Sequence, residues 1–412
     1  MDEADDKKIG HFSNLTEGYL DFGLKIPKRF IIPIATILLV KVLMAFLIFH
    51  WLNLGVTKSF WMTPSWAISG PQNDILWQNP YQAKSWEYLF LGWDSAWYLS
   101  IIAKSYSFSP QSFAFFPGFP YISSFFNLIL SNPVSSLLVV TLFSGIAWVP
   151  LFQTVSEHYM EKDLALVSTL IFALSPFTLL FSTVAYAEGL FLLLSLCSWL
   201  LFLHNRFLAA TFVATLSAAT RPVGLLLALP IFLKVINIRS IKHYSEKLAI
   251  LIIPIFGYLS AWLNGWLYTG NFYAIIMVND WNTMYSFLTF ITRIFPNFLL
   301  TSFSMITQYL MVHPLLPYFV ILFLTLTPIM GAYLFKIDRE LAVYSLAYYL
   351  GILVFGAILS IPRYLSFIFP LWLNPNISRK IMRKRLLIPY LILSVSITII
   401  LWIGFIGGIF VG

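Results

Sequence analysis

Residues 30–54 read FIIPIATILLVKVLMAFLIFHWLNL, a run with one charged residue, Lys41. An α-helix rises about 1.5 Å per residue and the hydrocarbon core of a bilayer is about 30 Å thick, so roughly 20 apolar residues cross it. This run is long enough. Lys25, Lys28 and Arg29 stand before it and no small-residue cleavage site follows, so it reads as an anchor rather than a removed leader. Runs of the same kind lie near 134–156, 164–184, 188–203, 248–268, 315–335, 341–361 and 386–410. Three shorter ones, 207–220, 222–236 and 364–373, flank Arg221 and Arg363.

The whole chain agrees with that reading. Of its 412 residues, 59% are hydrophobic and only 10% charged, and the mean hydropathy is +0.83. A soluble domain is about 25% charged, so an ordinary globular enzyme is excluded, as is a disordered chain. The formal charge of +8 would suggest nucleic acid in a soluble protein. Here the basic residues fall in short loops: Lys234, Arg239, Lys242 and Lys247; Lys336 and Arg339; and Arg379, Lys380, Arg383, Lys384 and Arg385. The positive-inside rule makes those loops cytoplasmic, and no nucleic-acid partner is implied. Crossing parity then requires 207–236 and 341–373 to be hairpins that turn at 220–222 and 361–363 in the outer leaflet.

The expected architecture is all-α and polytopic, with about 11 transmembrane helices. Residues 1–29 form a cytoplasmic tail and 30–412 a single transmembrane domain. Residues 55–132 form a large first extracytoplasmic loop with interfacial helices, and 269–314 a second large one. The segments 113–130 and 286–312 are apolar enough to cross, but Pro117, Pro120, Arg293 and Pro296 interrupt them, so they read as interfacial. The lone cysteine, Cys197, reads as buried packing. No intrachain disulfide and no Cys-based metal site follow from it.

The first outer loop holds six of the 14 tryptophans, and interface anchoring accounts for most of them. Aromatic faces also stack on sugar rings. Two patches carry more information. In one, Trp93-Asp94-Ser95-Ala96-Trp97-Tyr98, the carboxylate stands at the start of a helix over 95–104, as an N-cap or as a group held at the membrane surface. The other is Phe113-Ala114-Phe115-Phe116-Pro117-Gly118-Phe119-Pro120. Three later segments join them: Ala185-Tyr186-Ala187-Glu188-Gly189-Leu190-Phe191, Ala218-Ala219-Thr220-Arg221-Pro222-Val223-Gly224, and Pro362-Arg363-Tyr364-Leu365.

In this order the segments resemble the PIG-V-like glycosyltransferases, which include the second mannosyltransferase of GPI-anchor assembly and belong to the GT-C class of polytopic enzymes. The match runs from about 85 to 375, and departs at Pro222 and Val223, where Ser-Asn is expected. The resemblance implies a GT-C-like fold and a polyprenyl-phosphate sugar donor, such as dolichol-phosphate mannose. It likewise implies an acceptor hydroxyl on a lipid-linked glycan or glycolipid, and inverting transfer. A small membrane partner subunit is compatible with it. The chain would sit in the cell membrane of a prokaryote or the endoplasmic reticulum of a eukaryote, with its N-terminus cytoplasmic.

Such a reaction needs one carboxylate base, and cations for the departing phosphate. Asp94 is the expected base. Arg221 and Arg363, sunk in the outer leaflet, are the expected phosphate contacts, since an arginine at that depth is costly unless it is paired or binds an anion. For Arg221 the alternative is neutralising the end of helix 207–220. Trp93, Trp97, Tyr98, Phe116, Pro117, Tyr186, Glu188 and Tyr364 are expected to bind sugar or acceptor. No cofactor and no structural metal are expected, although a divalent ion at Asp94 is compatible with the chemistry. Two rivals remain: a lipid or sugar transporter or flippase, and an inactive scaffold of the same fold. A transporter should carry mid-membrane charges and often a repeat. No repeat is evident, and Lys41 reads as a side chain that snorkels towards the cytoplasm.

Overall fold

The computed structural model describes residues 19–21, 25–53, 86–236, 244–274, 316–355, 360–406 and 411. Within them the chain is helical apart from a small antiparallel hairpin, β1 (Tyr19–Asp21) with β2 (Lys25–Pro27). Three expectations fall outside the described residues: the interfacial segment 286–312, most of the 269–314 loop, and the first part of the 55–132 loop.

The helices are α1 (Lys28–Asn53), α2 (Asp94–Lys104), α3 (Gly118–Leu130), α4 (Pro133–Tyr159), α5 (Lys162–Ala173), α6 (Pro176–Phe181), α7 (Glu188–Leu203), α8 (Phe207–Thr220), α9 (Ala228–Ile236), α10 (Tyr244–Thr269), α11 (Leu316–Tyr333), α12 (Arg339–Phe355), α13 (Ile361–Ser366), α14 (Pro375–Arg383) and α15 (Leu387–Ile406). Every apolar run read from the sequence carries helix. Among the described residues, five helices are long and apolar enough to cross a membrane on their own: Lys28–His50, Pro133–Tyr159, Lys247–Thr269, Tyr318–Lys336 and Leu387–Ile406. The chain is an all-α polytopic membrane protein.

Local chemistry sets the breaks. Asn132 caps α4 by accepting from the Ser135 N–H at 3.1 Å, and Pro133 opens the helix where its missing N–H costs nothing. Pro176 ends the run over 164–184 at α5 and restarts it as α6. The turn expected at 220–222 is present: Arg221 is extended and a 3₁₀ stretch, Pro222–Leu227, leads into α9. The one expected at 361–363 is instead the first turn of α13, with Pro362 early in the helix where its ring is tolerated.

The core lies around α4 to α7. Half of the apolar window of α4 is buried, against 17% of that over Tyr318–Lys336, so α4 is central and α11 peripheral. Small polar residues let α7 and α8 approach closely. Ser195 and Ser217 share a hydrogen bond of 3.0 Å, and Ser198 donates to the Ala210 carbonyl at 2.8 Å. Phe125, Leu128 and Ile129 on α3 and Phe256, Leu263 and Leu267 on α10 point outward. Cys197 is half-buried rather than buried, because it sits on a less covered face of α7.

Candidate functional site

Four charged side chains that the sequence scatters over separate segments meet in one chain of contacts. Asp94 Oδ2 accepts a hydrogen bond from Arg363 Nη2 at 2.9 Å. Arg363 Nε donates to Glu188 Oε1, and Arg221 Nη1 lies 2.5 Å from the same oxygen. Two guanidinium groups and two carboxylates leave the cluster formally neutral, which is the condition for sinking charges below a membrane surface. The side chains of Glu188, Arg363 and Arg221 are 1%, 8% and 11% exposed, while that of Asp94 is 27% exposed. Asp94 is therefore the acid with an open side.

Aromatic rings line the cluster. The Arg363 guanidinium lies 4.6 Å from the centroid of Tyr186 and 5.1 Å from those of Tyr364 and Phe181. Arg221 lies 4.7 Å from Tyr364 and 5.9 Å from Phe191. Tyr364 is thus shared by both arginines. Such cation–π contacts are worth about 2 kcal/mol where they are desolvated.

Each acid is positioned by its own segment. Asp94 is the first residue of α2 and its carboxylate does not cap the helix, so the capping role is set aside in favour of the Arg363 pair. Trp93 before it has φ 50°, a left-handed conformation that costs a bulky residue energy, so backbone strain sits one residue from the acid. The Asp94 N–H donates to Tyr186 Oη at 3.2 Å, and Ser95 Oγ donates to the Ala185 carbonyl at 3.0 Å. The Ala185 N–H donates to the Phe90 carbonyl at 2.8 Å, which fastens the stretch before α2 to the segment before α7. Burial pushes the Asp94 carboxyl up from its ordinary value, against the opposing pull of Arg363.

The two aromatic patches pack on each other. Trp97 stacks on Phe115 at 5.6 Å, and Tyr98 meets Phe115 at 5.2 Å and Phe119 at 4.8 Å, edge to face. Trp97 and Tyr98 are nearly buried, so their rings are engaged in this packing. A Cβ on Gly118 would come within 2.9 Å of the Ala219 carbonyl, so the Pro117-Gly118 turn lies directly on the end of α8, beside Arg221. Phe116 lies 5.9 Å from Tyr258 on α10, and Pro117 precedes α3.

The structure therefore joins Asp94, Glu188, Arg221, Arg363, Tyr186 and Tyr364 directly, with Trp93 alongside. It gives Trp97, Tyr98, Phe116 and Pro117 packing roles around them. Phe181 and Phe191, which floor the arginines and are fully buried, were not anticipated. Phe191 had a signal, since it lies one helical turn after Glu188 on the same face. Lys41 overturns its expectation: it is 7% exposed and bonded inside the bundle, because three oxygens of α4 and the α6 end accept from it there. Among the described residues, no three His, Cys, Asp or Glu side chains gather to hold a metal ion.

No family model matches the chain, and no curated protein matches it. Among solved structures it is similar to the Archaeoglobus fulgidus oligosaccharyltransferase, crystallised with Zn and sulfate, at 13% identity and a TM-score of 0.42. That likeness covers 78% of this chain and 48% of the other, so the chain spans about half the length of that protein.

Proposed function

We infer that the protein is a GT-C glycosyltransferase of the PIG-V-like kind, acting on the extracytoplasmic or luminal face. It moves a sugar, mannose in the first instance, from a polyprenyl phosphate to a hydroxyl of a lipid-linked or glycolipid acceptor. The observation that carries this reading is the Asp94–Arg363–Glu188–Arg221 chain. Motif segments separated in sequence supply one partly exposed acid and two largely buried arginines, the parts that such a transfer needs.

The chemistry follows from those parts. The acceptor oxygen attacks the anomeric carbon and its proton passes to Asp94. The bond from that carbon to the phosphate oxygen breaks, and the lipid phosphate leaves with the electron pair, stabilised by the arginines. Asp94 and Arg363 are paired before substrate binds. An incoming phosphate competes for Arg363 and frees the Asp94 carboxylate, so donor binding exposes the base. Glu188, enclosed between the two arginines, holds them in register rather than meeting the sugar.

The test is transfer by the purified full chain from dolichol-phosphate mannose to a panel of lipid-linked acceptors. Asp94→Asn is expected to lower turnover about 10²- to 10⁴-fold, the usual contribution of a positioned base. Wild-type turnover in that variant removes the assignment. The rate should fall as pH drops through the Asp94 pKa, which lies above the ordinary carboxylate value, because protonation removes the base. Residual activity in Asp94→Asn should lose that limb. Arg221→Ala and Arg363→Ala should each weaken donor binding, and unchanged affinity in both rejects the phosphate contacts.

A further inference from the structure

Ser182 to Ala187 join α6 to α7 as six residues outside regular helix. Each of them is at most 3% exposed. Buried backbone outside regular helix must have its polar groups satisfied by the protein, so each needs a partner. The N–H groups of Thr183 and Val184 donate to the Leu180 carbonyl at 2.9 and 3.0 Å, and that of Tyr186 to the Val184 carbonyl at 2.7 Å. Ala185 is held on both sides by Phe90 and Ser95. The Ser182 carbonyl is met from another helix. Lys41 Nζ, at the middle of α1, donates to it at 2.8 Å, to the Gly145 carbonyl of α4 at 2.9 Å, and to Ser182 Oγ at 3.2 Å.

An ammonium has three protons and here meets three oxygens. All three acceptors are neutral. The crossing is tight: a Cβ on Gly145 would stand 2.0 Å from the Ser182 carbonyl oxygen. Four residues after Ser182 comes Tyr186, which accepts from the Asp94 N–H, and two residues later Glu188, which holds both arginines.

We propose that Lys41 is a positioning residue of the candidate site: its ammonium ties the start of the 182–187 break to α1 and α4, and through Tyr186 and Glu188 it fixes Asp94 and Arg363. The tie stands on the contacts alone; its bearing on turnover rests on the glycosyltransferase reading.

Lys41→Met and Lys41→Arg in the purified full chain, reconstituted in lipid nanodiscs, separate donation from space filling. Methionine keeps the bulk and removes the protons; arginine keeps charge and donors in a different shape. Two readouts are taken. In Lys41→Met, amide exchange over 182–191 is expected to rise while α4 and α15 keep their protection. Transfer is expected to lose about tenfold in kcat with the donor KM unchanged, the signature of misplaced groups rather than lost binding. Lys41→Arg is expected to hold both readouts closer to wild type than Met does. Wild-type exchange over 182–191 in Lys41→Met overturns the proposal whatever transfer does, and so does a methionine variant that outperforms arginine. If Lys41→Met does not fold, Lys41→Leu, which likewise removes the donors with less bulk, is read by the same two criteria. Absence of transfer in the wild-type protein rejects the functional reading and leaves the exchange result to decide the tie.

Discussion

Among the described residues two cation sites are buried, and they are neutralised in opposite ways. Lys41 is surrounded by carbonyl and hydroxyl oxygens, all of them fixed in the backbone or on a short side chain. Arg363 and Arg221 are met by carboxylates and aromatic faces, and the outermost of those carboxylates, Asp94, retains 27% of its exposure. A cation held by neutral backbone oxygens has nothing to exchange with. One held by a carboxylate at an open edge can trade it for another anion. The first arrangement suits a fastening and the second a site that handles phosphate.

The comparison is broken most severely at Glu188. Its carboxylate is enclosed and serves both arginines, so Glu188→Ala leaves two buried cations with one acid between them. Removing one partner of a buried pair costs about 3–5 kcal/mol, and a loss at the upper end of that range is expected because Arg221 loses its carboxylate and Arg363 keeps only Asp94. Thermal unfolding in detergent measures it. Stability within error of wild type would mean that water or lipid phosphate already neutralises the arginines. Gly145→Ala attacks the other cluster. Its new methyl overlaps the Ser182 carbonyl, and overpacking of this kind costs about 1–3 kcal/mol. The effect on turnover should resemble that of Lys41→Met, since both part α4 from the 182–187 break. Loss of stability without a change in turnover would separate the two clusters and make the fastening irrelevant to the site.

The sequence exposed these clusters unequally. Asp94, Glu188, Arg221 and Arg363 were legible one by one, because charge is scarce in an apolar chain and a charge beside an apolar run needs a reason. Their pairing was not, since Arg363 meets Glu188 across 175 residues and Asp94 across 269. No periodicity links such positions. Lys41 was legible as an oddity and its role was not, because its partners are largely backbone carbonyls, which every residue has. The helices were readable from apolar run length. The breaks inside 164–184 and at 182–187 were harder. Pro176 marks the first, but the second is set by Phe90, Ser95 and Lys41 from outside the segment.

The smallest expected effect falls on Tyr364, and it sharpens the comparison best. Its ring lies against both arginines, and its loss leaves both carboxylates in position. Tyr364→Leu keeps apolar bulk and removes the negative face of the ring. A desolvated cation–π contact is worth about 2 kcal/mol and an exposed one about 0.5–1 kcal/mol. If the ring serves only to bury the arginines, the variant should lose stability within that range and bind donor as before. If the ring holds the guanidinium planes so that their N–H groups face an incoming phosphate, donor affinity should fall by about tenfold at constant stability, which corresponds to about 1.4 kcal/mol. Parallel measurement of unfolding and of donor binding distinguishes the two. The second outcome would give the ring a share, with Glu188, in orienting the guanidinium planes once Asp94 is displaced; the first would leave that task to Glu188 alone.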